Sequence, residues 1–422
     1  MRTLGIILFI CFSGVGRAQI PDFVYAPNIS SAKLYLHGNQ LAAPIVSLEG
    51  NTKMDLDFDD LDGDVKNYYY TYQLCNADWT PVQLSTMDYI RGFEQNPITD
   101  YHYSSISLIR YTHYHLLLPE ASARITLSGN YLLKVFLNSD TSRMVFTKRM
   151  MVVQNAVAIA AQILQPMNPP FSQTGQKLQF TVNSKALNIS NPFQQIHVVV
   201  LQNNRWDNAI YMGNPSFYSG TNFVYNSDET PVFPGGNQWR LLDLQSFRFQ
   251  SDRIARAEYL KNGTVIYVKP DQDRSHQPYF YYTDINGKYF IQTIDGVNAD
   301  YQGDYARVRF TYSPPDRIAL EGQDLYLMGE FTGYALNAAT KMYFNPSTGM
   351  YEGSAFLKMG VYNYGYVTVN TNSLSPPTFD FTEGNHFETE NDYDILVYYR
   401  PMGGRADQLV GIYSSNTLNA LR

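Results

Sequence analysis

Met54-Asp55-Leu56-Asp57-Phe58-Asp59 alternates without a break, apolar side chains at even positions and carboxylates at odd ones. A period of two puts the two sets on opposite faces of an extended strand, one suited to a core and the other to water. Asp60-Leu61-Asp62-Gly63-Asp64 supplies turn residues directly after it. The alternation then resumes, with Tyr68, Tyr70, Tyr72 and Leu74 on one face and Tyr69, Thr71 and Gln73 on the other. The region reads strand, turn, strand.

The same pattern extends outward in both directions. Residues 125–127, the turn Ser128-Gly129-Asn130 and residues 131–137 read as a hairpin, and a polar turn at 138–142 feeds a strand at 143–153. A second strand series occupies 157–164, 178–182, 196–201, 239–244, 264–268, 279–282, 289–292 and 307–312. Within it, Gly235-Gly236 permits positive φ in the turn Val232-Phe-Pro-Gly-Gly-Asn237, and Pro234 fixes the entry. Ser313-Pro314-Pro315-Asp316 reads as a linker, because consecutive prolines cannot donate to a ladder. A third series runs from 325–328 through 360–366 and 395–399 to 408–413. Amphipathic helices are scarce. The chain contains 35 Tyr and 24 Phe but only 3 Trp, and these ring-bearing residues favour the pleated surface of strands. The expected fold is all-β, with three consecutive immunoglobulin-like or early-set β-sandwiches at 25–154, 155–315 and 316–422.

The N-terminus sets the compartment. Arg2 precedes the apolar run 4–12, and Gly16 and Ala18 fit the −3 and −1 positions of a signal peptidase site. Residues 1–18 are expected to be a signal peptide cleaved between Ala18 and Gln19. Cys75 is then the single cysteine of the mature chain, which excludes an internal disulfide and demands true hydrophobic cores. Losing Arg2 and Arg17 makes a chain of formal charge −7 more acidic still. An acidic chain without a Lys/Arg cluster is a poor partner for nucleic acid or anionic lipid.

Candidate chemistry is sparse. Asp55, Asp57, Asp59, Asp60, Asp62 and Asp64 offer hard oxygen ligands that suit calcium. The helix-loop-helix calcium template fails, however, with Val65 where its glycine belongs and Thr71 where its bidentate Glu belongs. A solvated strand face running into a turn is the expected account. His113 and His115 share one strand face, but no third ligand lies nearby in sequence, so no metal or cofactor is expected. No G-x-S-x-G, H-E-x-x-H or phosphate loop occurs, and no catalytic residue is assigned. Cys75 lacks an adjacent base and reads as a small core side chain. The loops Asn76-Ala-Asp-Trp79-Thr-Pro81 and Tyr89-Ile-Arg-Gly-Phe93 are candidates for binding.

Several runs resemble a known family. Residues 56–70, Cys75-Asn-Ala-Asp-Trp79, residues 93–101 and Ser128-Gly-Asn-Tyr-Leu-Leu-Lys-Val135 look like the first domain of the type IX secretion system plug protein family of Bacteroidetes. Asn204-Arg-Trp-Asp-Asn208, Phe233-Pro-Gly-Gly-Asn237 and Asp284-Ile-Asn-Gly-Lys-Tyr289 continue the similarity. The resemblance implies a non-enzymatic periplasmic component that docks on a large outer-membrane β-barrel translocon, with no nucleic acid partner and no membrane span of its own. The contact residues stay unassigned. Leu327-Met-Gly-Glu-Phe-Thr-Gly-Tyr334 with Gly360-Val-Tyr-Asn-Tyr-Gly-Tyr366 is similar to early-set starch-binding modules, which keeps an envelope carbohydrate-binding protein as the alternative. Tyr334 stands there where a sugar-stacking Trp is expected.

Overall fold

The computed structural model describes residues 21–227, 231–373 and 375–420. The expected signal peptide and its Ala18–Gln19 cleavage site lie outside the described residues. The fold is all-β, as the alternation predicts, with its strands distributed over several sheets.

Residues 29–153 form one sandwich. One sheet orders the strands Ile29–Leu36, Met54–Asp60, Thr112–Leu118 and Asp100–Tyr103. The facing sheet orders Ile45–Ser47, Met144–Val153, Gly129–Leu137, Tyr68–Cys75 and Asn96–Pro97. Met54, Leu56 and Phe58 point inward and meet Tyr68, Tyr70, Tyr72 and Leu74 from the other sheet in one core. Buried tyrosines bring hydroxyls that need partners. Tyr68 donates to Asp60 at 2.9 Å, Tyr70 to Glu120 at 2.5 Å and Tyr131 to the Leu127 carbonyl at 2.8 Å.

The second sandwich is discontinuous in sequence. Its first sheet comprises Ala158–Leu164, Gly175–Asn183, Asn222–Tyr225 and Phe217–Ser219, with Val232–Pro234 alongside. Its other sheet orders Ile210–Tyr211, Ile196–Gln202, Asp392–Tyr399 and Gln408–Asn416. Ile196 pairs with Tyr399 and Gln202 with Tyr393, and Tyr393, Ile395, Val397 and Val410 complete the core that Leu178, Phe180 and Val182 begin.

Between those halves the chain builds a third unit. A ten-stranded sheet runs through Arg240–Asp243, Gly360–Asn370, Gln323–Met328, Lys341–Asn345, Met350–Lys358, Tyr305–Ser313, Gly263–Val268 and Ile254–Leu260, with two short strands off that path. Leu242 from one end of the sheet and Ile254 and Ile266 from the other share a single core, so the sheet curls around it.

The expected divisions at 155–315 and 316–422 do not follow this pairing. Tyr305–Ser313 lies between Met350–Lys358 and Gly263–Val268 in the inserted unit, and Pro314-Pro315 only opens a turn at its end. The strands after residue 391 return to the second sandwich. Period-two alternation marks a strand but carries no information about which distant strand it pairs with.

Candidate functional site

The seams where the three units meet hold several buried charges, among them Lys33, Asp59, Arg205 and Lys358. The Asp55–Asp59 face is the first surprise. Asp55 and Asp59 are 5% and 1% exposed rather than solvated, Asp55 covered by His37 and His115 of its own sandwich and Asp59 by the inserted unit. Asp59 accepts hydrogen bonds from Lys358 Nζ at 2.5 Å, Tyr305 Oη at 2.6 Å and His113 Nδ1 at 2.8 Å. Burial alone raises its pKa, but the Lys358 charge and the His113 contact outweigh it and hold the carboxyl below its usual range. Lys358 is itself buried, and its ammonium also lies over the Tyr111 ring.

His113 and His115 do share a strand face, but carboxylates occupy them. His113 bridges Asp57 at 3.3 Å and Asp59 at 2.8 Å, and His115 bridges Asp55 at 3.1 Å and Asp100 at 3.3 Å. Burial pulls the His113 pKa down, yet hydrogen bonds to Asp57 and Asp59 prevail and push it up to about 9. That exceeds the unfolded value of about 6.5. The imidazolium therefore stabilises the fold fully below about pH 6.5, and the contribution is lost as pH rises through about 9. Thermal melts from about pH 6 to about pH 10 should show wild type losing stability along this limb. His113→Gln should melt lower at the acid end, with a flatter profile.

The turn carboxylates Asp60, Asp62 and Asp64 cluster within reach of one cation. Lys66 Nζ already sits on all three, at 2.6, 2.6 and 2.8 Å. Burial disfavours its charge, but the three carboxylates raise its pKa above the ordinary lysine value. An internal ammonium thus performs the neutralisation that a calcium ion would supply. EGTA should leave the melting temperature unmoved, whereas Lys66→Ala should cost about 1–2 kcal/mol in a denaturant titration.

The aromatic loops serve the seams more than the surface. Trp79, with φ +66°, is buried between the first and second sandwiches. Its ring meets Trp206 edge-on at 4.9 Å, and the Arg149 guanidinium lies 4.9 Å from Trp79 and 5.5 Å from Trp206. Trp239 marks the seam between the second sandwich and the inserted unit. The Arg205 guanidinium lies 5.8 Å from Trp239, 5.1 Å from Tyr334 and 5.7 Å from Phe379, paired with Asp207 at 2.5 Å. All 3 tryptophans of the chain therefore stand at junctions between units, each beside an arginine. Tyr334 packs against Arg205 and donates to the Gly287 carbonyl at 3.3 Å, which removes it as a sugar platform. Tyr89 belongs to the first core, while Phe93 is exposed. Cys75 is buried in the seam, and burial pushes its thiol up to about 12.

Further contacts cross each boundary. Tyr398 donates to Asn130 at 2.8 Å, and the Ala77 amide donates to Asp407 at 3.0 Å. Gln40 and Ile291 exchange two hydrogen bonds, at 3.1 and 2.8 Å. Asp304 accepts from the Leu108 and Ile109 amides, both at 3.1 Å, which fixes a loop whose Ile106 and Leu108 remain exposed. Sequence reasoning missed Lys33 and Lys358, because a lone basic residue in a strand looks like a solvated one. A faint signal existed: the Asn204–Asn208 and Asp284–Tyr289 runs hold unusual polar residues, and they converge on these seams. Asp284 accepts the Trp239 amide at 2.5 Å, and burial pushes its carboxyl up to about 7.

The arrangement locks three sandwich-like bodies together through buried ion pairs and aromatic contacts. The model of the type 9 secretion system plug protein 1st domain matches residues 29–154, the extent of the first sandwich. The chain carries the first domain of the type IX secretion system plug protein family. It is accordingly a component of that secretion system. The crystal structure of a hypothetical protein from Parabacteroides merdae ATCC 43184 at 2.30 Å resolution is similar over 95% of this chain and 100% of that one, with 30% sequence identity and a TM-score of 0.90. The likeness thus extends through the second sandwich and the inserted unit. The comparison with curated proteins gives no match. Among the described residues no helix is long and apolar enough to cross a membrane.

Proposed function

We propose that this plug-family protein is a periplasmic, non-enzymatic stopper that docks at the inner opening of the giant outer-membrane translocon barrel and seals it when no substrate is being exported. The observation that carries the reading is the family match over the first sandwich. The locked seams support it, since a stopper must hold its shape against another protein. Size supports it too. A barrel of roughly 36 strands, spaced about 4.8 Å apart and tilted about 40°, has a backbone diameter near 70 Å. Roughly 400 compact residues span about 55 Å, whereas a lone sandwich of about 130 residues spans near 35 Å. Side chains and inward loops narrow the lumen towards the larger figure.

Sealing has to be reversible, so docking is a competition between plug and cargo settled by mass action. Deleting the gene should make the outer membrane leaky to large solutes that wild-type cells exclude, and supplying the protein in trans should restore the barrier. Unchanged permeability in the deletion strain would refute sealing.

A further inference from the structure

Two cavities meet where all three units converge, of about 230 Å³ and about 320 Å³. They share Asp22, Ala32, Lys148, Tyr289, Glu330 and Gly333, and so form one cleft. Its charges are unequal. Asp22 pairs with Arg149 at 2.6 Å, Glu330 with Lys33 at 2.5 Å and Lys358 with Asp59 at 2.5 Å, and each of these pairs cancels. Lys148 lines both cavities and is held by no carboxylate among the described residues. Asp207, the remaining carboxylate of the lining, is taken up by Arg205 at 2.5 Å. Arg149 adds a buried Nε with no hydrogen-bond partner among the described residues.

Lys33 lines the same cleft. Its side chain is 5% exposed, and it donates to the Tyr289 carbonyl and to Glu330. Burial lowers its pKa, and the charges of Lys288 and Lys148 lower it further against the opposing pull of Glu330. A partly buried cleft that holds the unneutralised Lys148 ammonium and an unused Arg149 N–H donor is complementary to a negatively charged acceptor group. We propose that this cleft is an oxyanion site, binding a carboxylate or phosphate group on an organic ligand through Lys148, with Lys33 and Arg149 behind it. The volume exceeds what a bare ion needs, and Ala32, Leu34 and Pro44 in the lining supply apolar surface for the ligand's carbon skeleton. The inference stands independently of docking on the barrel.

The test is isothermal titration of the mature chain at low salt with three probes: inorganic phosphate, citrate and a capped heptapeptide of Asp and Glu. Saturable binding of at least one probe is expected. Lys148→Met should weaken it at least tenfold, Lys148→Arg should largely restore it, and Lys185→Met at an exposed site elsewhere should leave it unchanged. Binding of phosphate without the peptide would assign a phosphorylated small molecule. Binding of the peptide would assign an acidic protein segment. No saturable binding by any probe, or equal affinity in folded Lys148→Met, would overturn the site.

Discussion

Asp59→Ala is expected to cost about 3–5 kcal/mol and to loosen the first sandwich from the rest of the chain. Asp59 is the sole carboxylate paired with Lys358 among the described residues, and both side chains are almost wholly excluded from water. Removing the acid leaves the ammonium with the Asp300 carbonyl and two tyrosine rings, none of which neutralises it. It also strips His113 of its closer partner and Tyr305 of its acceptor. An uncompensated buried charge is far costlier than the loss of both charges. The double variant Asp59→Ala/Lys358→Met should therefore recover much of the stability that the single variant loses. Chemical denaturation measures the energies, and limited proteolysis should degrade Asp59→Ala faster than wild type. Equal stability of single and double variants would show that the pair does not govern the seam.

Ending the chain after Ser313 is expected to abolish folding beyond residue 154. Ile196–Gln202 would lose its partner Asp392–Tyr399, and Tyr305–Ser313 would lose Met350–Lys358. Tyr393, Ile395, Val397 and Val410 would vanish from the second core. Several core truncations at about 2–5 kcal/mol each exceed the whole stability of an ordinary domain. Excising the inserted unit should do the opposite. The His386 amide donates to the Gly236 carbonyl at 2.8 Å, and the Gly236 amide donates to Asn385 at 2.9 Å, so the two ends of the insertion already touch. Joining Gly236 to Asn385 through a short glycine linker should leave a soluble two-sandwich protein with cooperative unfolding. Circular dichroism and thermal melts distinguish the two shortened chains.

What the sequence disclosed and what it concealed follow from range. Met54–Asp60 and Tyr68–Cys75 were legible because each records its own burial at period two, and their inward residues are the ones the pattern selects. The destination of Asp392–Tyr399 was not legible, since its partner lies almost two hundred residues earlier and nothing local names it. The acidic face of Asp55 and Asp59 looked solvated for the same reason: its counter-charges lie partly on the same sheet, at His37, His113 and His115, and partly on the distant Lys358. Trp79 read as a loop aromatic because the Trp206 and Arg149 that cover it come from two other strands or loops. The family-like runs in the second half carried the seam in plain view. Their polar residues made sense only after the units were placed together.

The most direct test of a reversible stopper is to recover the tagged mature protein from cells, without and with a cargo stalled in export, and to ask whether a very large outer-membrane barrel accompanies it. The proposed mechanism predicts recovery of the barrel when cargo is absent and its loss when stalled cargo fills the pore. Failure to recover any barrel, or recovery of plug and stalled cargo together on one barrel at undiminished yield, would contradict it.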